Sequence, residues 1–216
     1  MSVLDVLRGD RVLSVVRAAH IADAADLCHA LAAGGIRCVE LTFTTPGVLD
    51  HLSSCVDEVA SAGVTLGVGT VMTADQASAA IDAGARFLVT PCLRPEVAAV
   101  AVANAVPVFL GAFSPTEVAT AVDLGSAAVK IFPAGAVGPK YLSDLHGPLP
   151  DVEFLPSGGI TAENAISYLD AGALAVCAGT GVVPPAHVAD GKWSDITARA
   201  RQFVDSLITP SSLETE

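Results

Sequence analysis

Short apolar runs of strand length alternate with longer helical segments along almost the whole chain, and glycines recur where the helical segments stop. The apolar runs fall at 12–16, 38–43, 66–70, 86–91, 107–112, 127–133, 153–159 and 175–179. Helices are expected at about 22–33, 48–62, 95–103, 138–146 and 194–208, with further helices closed by Gly84, Gly125 and Gly172. In Ser114-Pro115-Thr116-Glu117 a capping serine, a proline at the first helical position and a glutamate three residues after the cap announce one helix start. Thr73 and Thr161 are expected to cap two more, and residues 3–8 form a short helical turn before the first strand. Strands and helices alternating at this spacing imply parallel crossovers, and eight such units in 216 residues imply a closed (β/α)8 barrel, a TIM barrel with a short N-terminal helix. An open doubly wound sheet is the alternative, but Gly67-Val68-Gly69 is an incomplete dinucleotide fingerprint and falls in the third unit. No linker or shift in composition divides the chain, so residues 1–216 read as one domain, with 209–216 as a frayed tail.

With 52% hydrophobic and 16% charged residues the chain can bury a substantial core. No run is long and apolar enough to span a bilayer, and the N-terminus has no signal-like segment, so no membrane association and a cytoplasmic location are expected. A net charge of -12 argues against a nucleic-acid partner. The five cysteines show neither Cys-x-x-Cys nor zinc-ligand spacing and read as reduced, mostly buried thiols, with Cys92 a small buried hydrophobe near a strand end. The five scattered histidines offer no catalytic grouping, and no metal site is expected.

A barrel gathers its chemistry at the carboxyl ends of its strands. The polar residues there are Arg17, Glu40, Thr42, Thr44, Thr70, Thr90, Lys130, Ser157 and Thr180. Of three lysines, Lys140 and Lys192 sit among polar and turn residues, whereas Lys130 lies in an apolar strand. Burial disfavours a charged ammonium. An ordinary lysine is neutral in only about one molecule in 2,500 at pH 7, so a site needing free amine must supply up to ~4.6 kcal/mol. Alternation puts Val129 and Ile131 toward the helices and Lys130 inward. Glu40, the only acidic residue well inside a strand, faces inward with Thr42. Such a pair is either a structural ion pair or a Schiff-base lysine with a proton-shuttling carboxylate. Glycines at Pro156-Ser157-Gly158-Gly159 and Gly179-Thr180-Gly181 let backbone N–H groups approach a phosphate after strands seven and eight.

Several ordered motifs resemble the class I 2-keto-3-deoxy-6-phosphogluconate (KDPG) aldolase family: Val16-Arg17-Ala18, Val39-Glu40-Leu41-Thr42, Gly67-Val68-Gly69-Thr70-Val71, Val89-Thr90-Pro91, Val129-Lys130-Ile131-Phe132-Pro133-Ala134 and Leu155-Pro156-Ser157-Gly158-Gly159-Ile160. The resemblance implies a lyase that cleaves KDPG to pyruvate and glyceraldehyde 3-phosphate with no metal or cofactor. It implies Lys130 as the Schiff-base residue and Glu40 as the general acid/base. Arg17, Thr44, Thr70, Pro91 and Phe132 match positions around the substrate, and Ser157, Gly158, Gly159, Gly179 and Thr180 match the phosphate end. It also implies a homotrimer. Thr44 stands where some members carry a carboxylate-binding arginine, which shifts carboxylate recognition toward Arg17 and backbone N–H groups. The phosphogalactonate epimer and 4-hydroxy-2-oxoglutarate remain open as substrates. Outside this chemistry, the alternatives are a non-covalent phosphate-binding barrel isomerase or decarboxylase, and a catalytically silent sugar-phosphate binder.

Overall fold

The structure, a computed structural model, describes residues 2–208; the expected frayed tail from Thr209 lies outside the described residues. The elements run α1 (Val3–Asp10), β1 (Val12–Val16), α2 (Ala24–Ala33), β2 (Cys38–Thr42), α3 (Val48–Ser61), β3 (Thr65–Gly69), α4 (Ala74–Asp82), β4 (Leu88–Val89), α5 (Pro95–Ala103) and β5 (Val108–Ala112). They continue α6 (Pro115–Asp123), β6 (Ala128–Ile131), a 3-10 turn (Ala134–Ala136), α7 (Pro139–His146), β7 (Phe154–Pro156), α8 (Ala165–Asp170), β8 (Val176–Ala178), α9 (Pro185–Ala189) and α10 (Trp193–Asp205). Eight parallel strands in the order β7-β6-β5-β4-β3-β2-β1-β8 wrap into the expected (β/α)8 barrel. One bridge, Ser157 to Cys177, joins the two ends of the sheet.

Alternation sorts the strand residues into two apolar clusters. Val39, Leu41, Val129 and Ile131 face outward against helix residues such as Leu27, Leu31, Leu52 and Leu142. Leu13, Cys38, Phe87, Phe109, Ala128 and Leu155 fill the barrel, and Val3, Val6 and Leu7 of α1 join them. Each fully buried leucine or phenylalanine contributes about 1.5–3 kcal/mol of transfer free energy. The interior is crowded enough to dictate glycines. A Cβ on Gly67 would lie 2.6 Å from the Phe87 ring, so Gly67-Val68-Gly69 is a packing device rather than a nucleotide turn.

Several boundaries differ from the sequence reading. The segment at 86–91 forms a ladder only at Leu88–Val89, although Arg86, Leu88 and Thr90 donate to Leu66, Pro107 and Phe109 on either side. The helix expected to start after Thr161 begins at Ala165, because Asn164 ties the preceding turn. Its side chain accepts from the Thr161 N–H at 2.9 Å and donates to the Gly159 carbonyl at 2.8 Å. The Ser114–Glu117 box forms as expected, Glu117 accepting the Ser114 N–H at 2.7 Å. Helix α9, started by Pro185, was not anticipated.

Candidate active site

At the carboxyl end of the barrel lies a cavity of about 670 Å³, within the size range of small-molecule sites. Lys130 reaches it from β6, between Gly111 on β5 and Leu155 on β7 in register. The residue is 6% exposed, and its Nζ stands 5.8 Å from the centre of the Phe132 ring. Glu40 sits below the cavity wall at 1% exposure, with Oε2 3.8 Å from Lys130 Nζ. That is an ion-pair distance but too long for a hydrogen bond. Among the described residues neither carboxylate oxygen has a hydrogen-bond partner. Burial raises the Glu40 pKa above the ordinary carboxylate value, while Lys130 and Arg17 pull it back. Room for this carboxylate comes from Gly69 on the neighbouring strand, where a Cβ would fall 1.8 Å from Oε1.

Thr70 holds a left-handed backbone with φ 57°, a strained choice for a β-branched residue. Its hydroxyl accepts from the Arg17 guanidinium at 3.5 Å, and both line the cavity with Pro91 and Phe132. Thr44 does not reach the cavity wall. It is exposed and hydrogen-bonded to Thr42 at 2.8 Å, whose hydroxyl reaches the Val16 carbonyl at 3.1 Å. Thr90 is also occupied elsewhere, donating to the Cys92 carbonyl and accepting the Gly111 N–H. Cys92 is exposed, contrary to the expected buried thiol, because it lies in the bend beyond the end of β4. Cys177 instead lines the cavity, and burial pushes its thiol up to about 11, leaving it a poor nucleophile at neutral pH.

Across the cavity, Ser157, Gly158, Gly159, Gly179 and Thr180 form the wall at the ends of β7 and β8. Gly158 and Gly159 have φ of 84° and 81°. Their carbonyls are occupied, Gly158 accepting from the Gly135 N–H and Gly159 from the Asn164 side-chain amide, while Ser157 accepts from the Ala134 N–H. Among the described residues the N–H groups of Gly159, Gly179, Thr180 and Gly181 carry no hydrogen bond. Glu163, Arg199, Gln202 and Phe203 also line the cavity and were missed in the sequence. Three of them lie on α10, about twenty residues beyond the end of β8, where strand-end position gives no signal. The signal available was the flank of the buried Ile196, Ala200, Phe203 stripe, whose Phe203 end also lines the cavity.

The family model for KDPG and KHG aldolases matches residues 3–199. The chain belongs to this family. A 2-dehydro-3-deoxy-phosphogluconate aldolase of Treponema pallidum is 37% identical over 203 residues, covering 94% of this chain and 96% of the relative. The KDPG aldolase of Legionella pneumophila, solved with pyruvate captured as a covalent carbinolamine, superposes with a TM-score of 0.84. It is 30% identical and covers 92% of this chain and 96% of its own. A Zymomonas mobilis 2-keto-3-deoxy-6-phosphogluconate aldolase solved with 3-phosphoglycerate gives a TM-score of 0.81 at 34% identity, over 94% and 95% of the two chains. Family membership bears out the aldolase reading over the non-covalent isomerase or decarboxylase. Among the described residues no helix is long and apolar enough to cross a membrane.

Proposed function

We propose that this member of the KDPG and KHG aldolase family cleaves KDPG to pyruvate and glyceraldehyde 3-phosphate through a Schiff base on Lys130. The observation that carries the proposal is the pairing of a buried lysine, open to the cavity, with a buried carboxylate 3.8 Å away whose oxygens are unsatisfied. A purely structural ion pair would close to hydrogen-bonding distance and satisfy its lone pairs. This pair leaves the amine open to the cavity and the carboxylate behind it with no competing hydrogen bond from the described residues.

The amine of Lys130 attacks the C2 ketone, and loss of water gives an iminium. The bond between C3 and C4 then breaks toward the iminium, forming an enamine, as the C4 hydroxyl loses its proton and becomes the aldehyde. Glu40, directly or through one water, takes that proton and returns one to the enamine carbon, and hydrolysis releases pyruvate. A carboxylate held above its usual pKa by burial suits a group that must both accept and return a proton. Arg17 and Thr70 receive the substrate carboxylate at this end, flanked by Pro91 and Phe132. Thr44, hydrogen-bonded to Thr42, takes no direct part. The free N–H groups after β7 and β8 receive the phosphate, a reading supported by the 3-phosphoglycerate present in the Zymomonas mobilis structure.

The phosphogalactonate epimer and 4-hydroxy-2-oxoglutarate are the competing substrates, and rates on the three acids rank them. A homotrimer follows from kinship, and sedimentation tests it. The free state of all five cysteines supports a cytoplasmic location. The deciding experiment is borohydride trapping with pyruvate, followed by peptide mapping. An adduct of one reduced pyruvyl group on Lys130, missing in Lys130→Ala, is expected; a folded protein that gives no adduct overturns the Schiff-base mechanism.

A further inference from the structure

The charged residues lining the cavity are Arg17, Lys130, Glu163 and Arg199. Arg17 and Lys130 belong to the reacting end, where both act on Glu40. Among the described residues Arg199 is the one cation lining the other end, which also carries Glu163. It projects from α10 toward the loop after β8, and Nη1 donates to the Gly181 carbonyl at 3.3 Å. Among the described residues it forms no ion pair, and Asp195, one turn earlier, approaches His187 instead at 3.9 Å. One of five guanidinium N–H donors is therefore used, and the rest are available at the rim that also carries the unpaired N–H groups of Gly179, Thr180 and Gly181.

We propose that Arg199 grips the phosphoryl group of the substrate and makes the enzyme prefer phosphorylated keto acids over the unphosphorylated 4-hydroxy-2-oxoglutarate. The inference rests on the aldolase reading of the same cavity. A physical need for this cation exists. The chain carries a net charge of -12, and Glu163 on the cavity wall adds a carboxylate near the path of a dianion. Backbone N–H groups offset that repulsion only in part, whereas a planar guanidinium presents paired donors matched to phosphate oxygens. Its tie to the Gly181 carbonyl fixes it against the loop that supplies those N–H groups.

The experiment compares wild type with Arg199→Ala and Arg199→Lys on KDPG and on 4-hydroxy-2-oxoglutarate, and measures inhibition by inorganic phosphate and the thermal midpoint. Loss of one charge-assisted contact raises KM for KDPG by about 10- to 100-fold and weakens phosphate inhibition similarly in Arg199→Ala. The loss is larger on KDPG than on the unphosphorylated acid and falls on KM more than on kcat, and Arg199→Lys falls between. An equal loss on both substrates, or a KM for KDPG that does not move, overturns the proposal. A wild-type enzyme that cleaves neither acid refutes the underlying aldolase reading instead. In that event, loss of inorganic phosphate binding by Arg199→Ala, measured calorimetrically, supports the grip by itself, and unchanged binding overturns it.

Discussion

The two ends of the cavity are made from different materials. At the end proposed to react, side chains on regular strands supply the chemical groups: Lys130 on β6 and Glu40 on β2 are held by ladders on both sides and buried to 6% and 1% exposure. At the other end, Gly158, Gly159, Gly179 and Thr180 lie beyond short strands, beside the seam closed by a single bridge, and offer backbone. A covalent step needs one amine placed within tenths of an ångström, which a strand interior provides. Holding a phosphate needs several N–H groups converging on one anion, which strand-end glycines provide. Substitutions at the first end should therefore act on kcat, and those at the second on KM.

The largest effect tests the first half of that contrast. Lys130→Met fits the apolar strand, and a folded protein with cleavage reduced to background is expected by coupled assay of pyruvate release. Glu40→Gln should lower kcat by about 10²- to 10⁴-fold while pyruvate still forms the trapped adduct, only more slowly. The pH dependence carries a sign. Because burial raises the Glu40 pKa, the acidic limb of kcat/KM in wild type should lie above the ordinary carboxylate value of 4.5, and it should vanish in Glu40→Gln. A limb that persists in the variant would assign the proton transfers elsewhere.

Two glycine substitutions then separate the ends directly. In Gly69→Ala the new Cβ competes with Glu40 Oε1 for space, so kcat should fall by about 10²-fold, the cost of a misplacement on the order of 1 Å. At Gly179 a Cβ meets nothing within 4 Å and φ is not left-handed, so Gly179→Ala should melt with wild type. If a phosphate is held there, KM for KDPG rises about tenfold with kcat unchanged; an unaltered KM would reduce this glycine to a turn. The smallest effect is a control outside both ends. Ser114→Ala removes the N-cap hydroxyl of the α6 capping box and should cost about 0.5–2 kcal/mol in denaturant titration, with kinetics unaffected. Backbone hydrogen bonds from Phe113 and Ser114 lower the Glu117 pKa, so its contribution is present above the unfolded carboxylate pKa and disappears as pH falls through the lower folded value.

The barrel was legible because its signals are local and repeated. Period-two alternation sent Val129 outward and Lys130 and Glu40 inward, and the Ser114–Glu117 box and the helix-closing glycines follow from backbone chemistry within a few residues. The glycines at 158, 159 and 179 could be placed at strand ends for the same reason. Other features depend on what lies across the barrel. Nothing within Thr42-Phe43-Thr44 shows that the Thr44 hydroxyl is spent on Thr42 rather than aimed at the cavity. The bend that exposes Cys92, held by the Thr90 hydroxyl on its carbonyl, and the Asn164 tie that delays α8 are settled by hydrogen bonds of loops. The spacing of 3.8 Å between Lys130 and Glu40 joins residues ninety positions apart and depends on the strands between them, including the absence of a side chain at Gly69. Arg199 reaches Gly181 only because α10 packs against α2 and α9 with Ile196, Ala200 and Phe203 buried. Sequence periodicity fixes which face a side chain takes; distances between faces are set by barrel closure and helix packing, which no local pattern encodes.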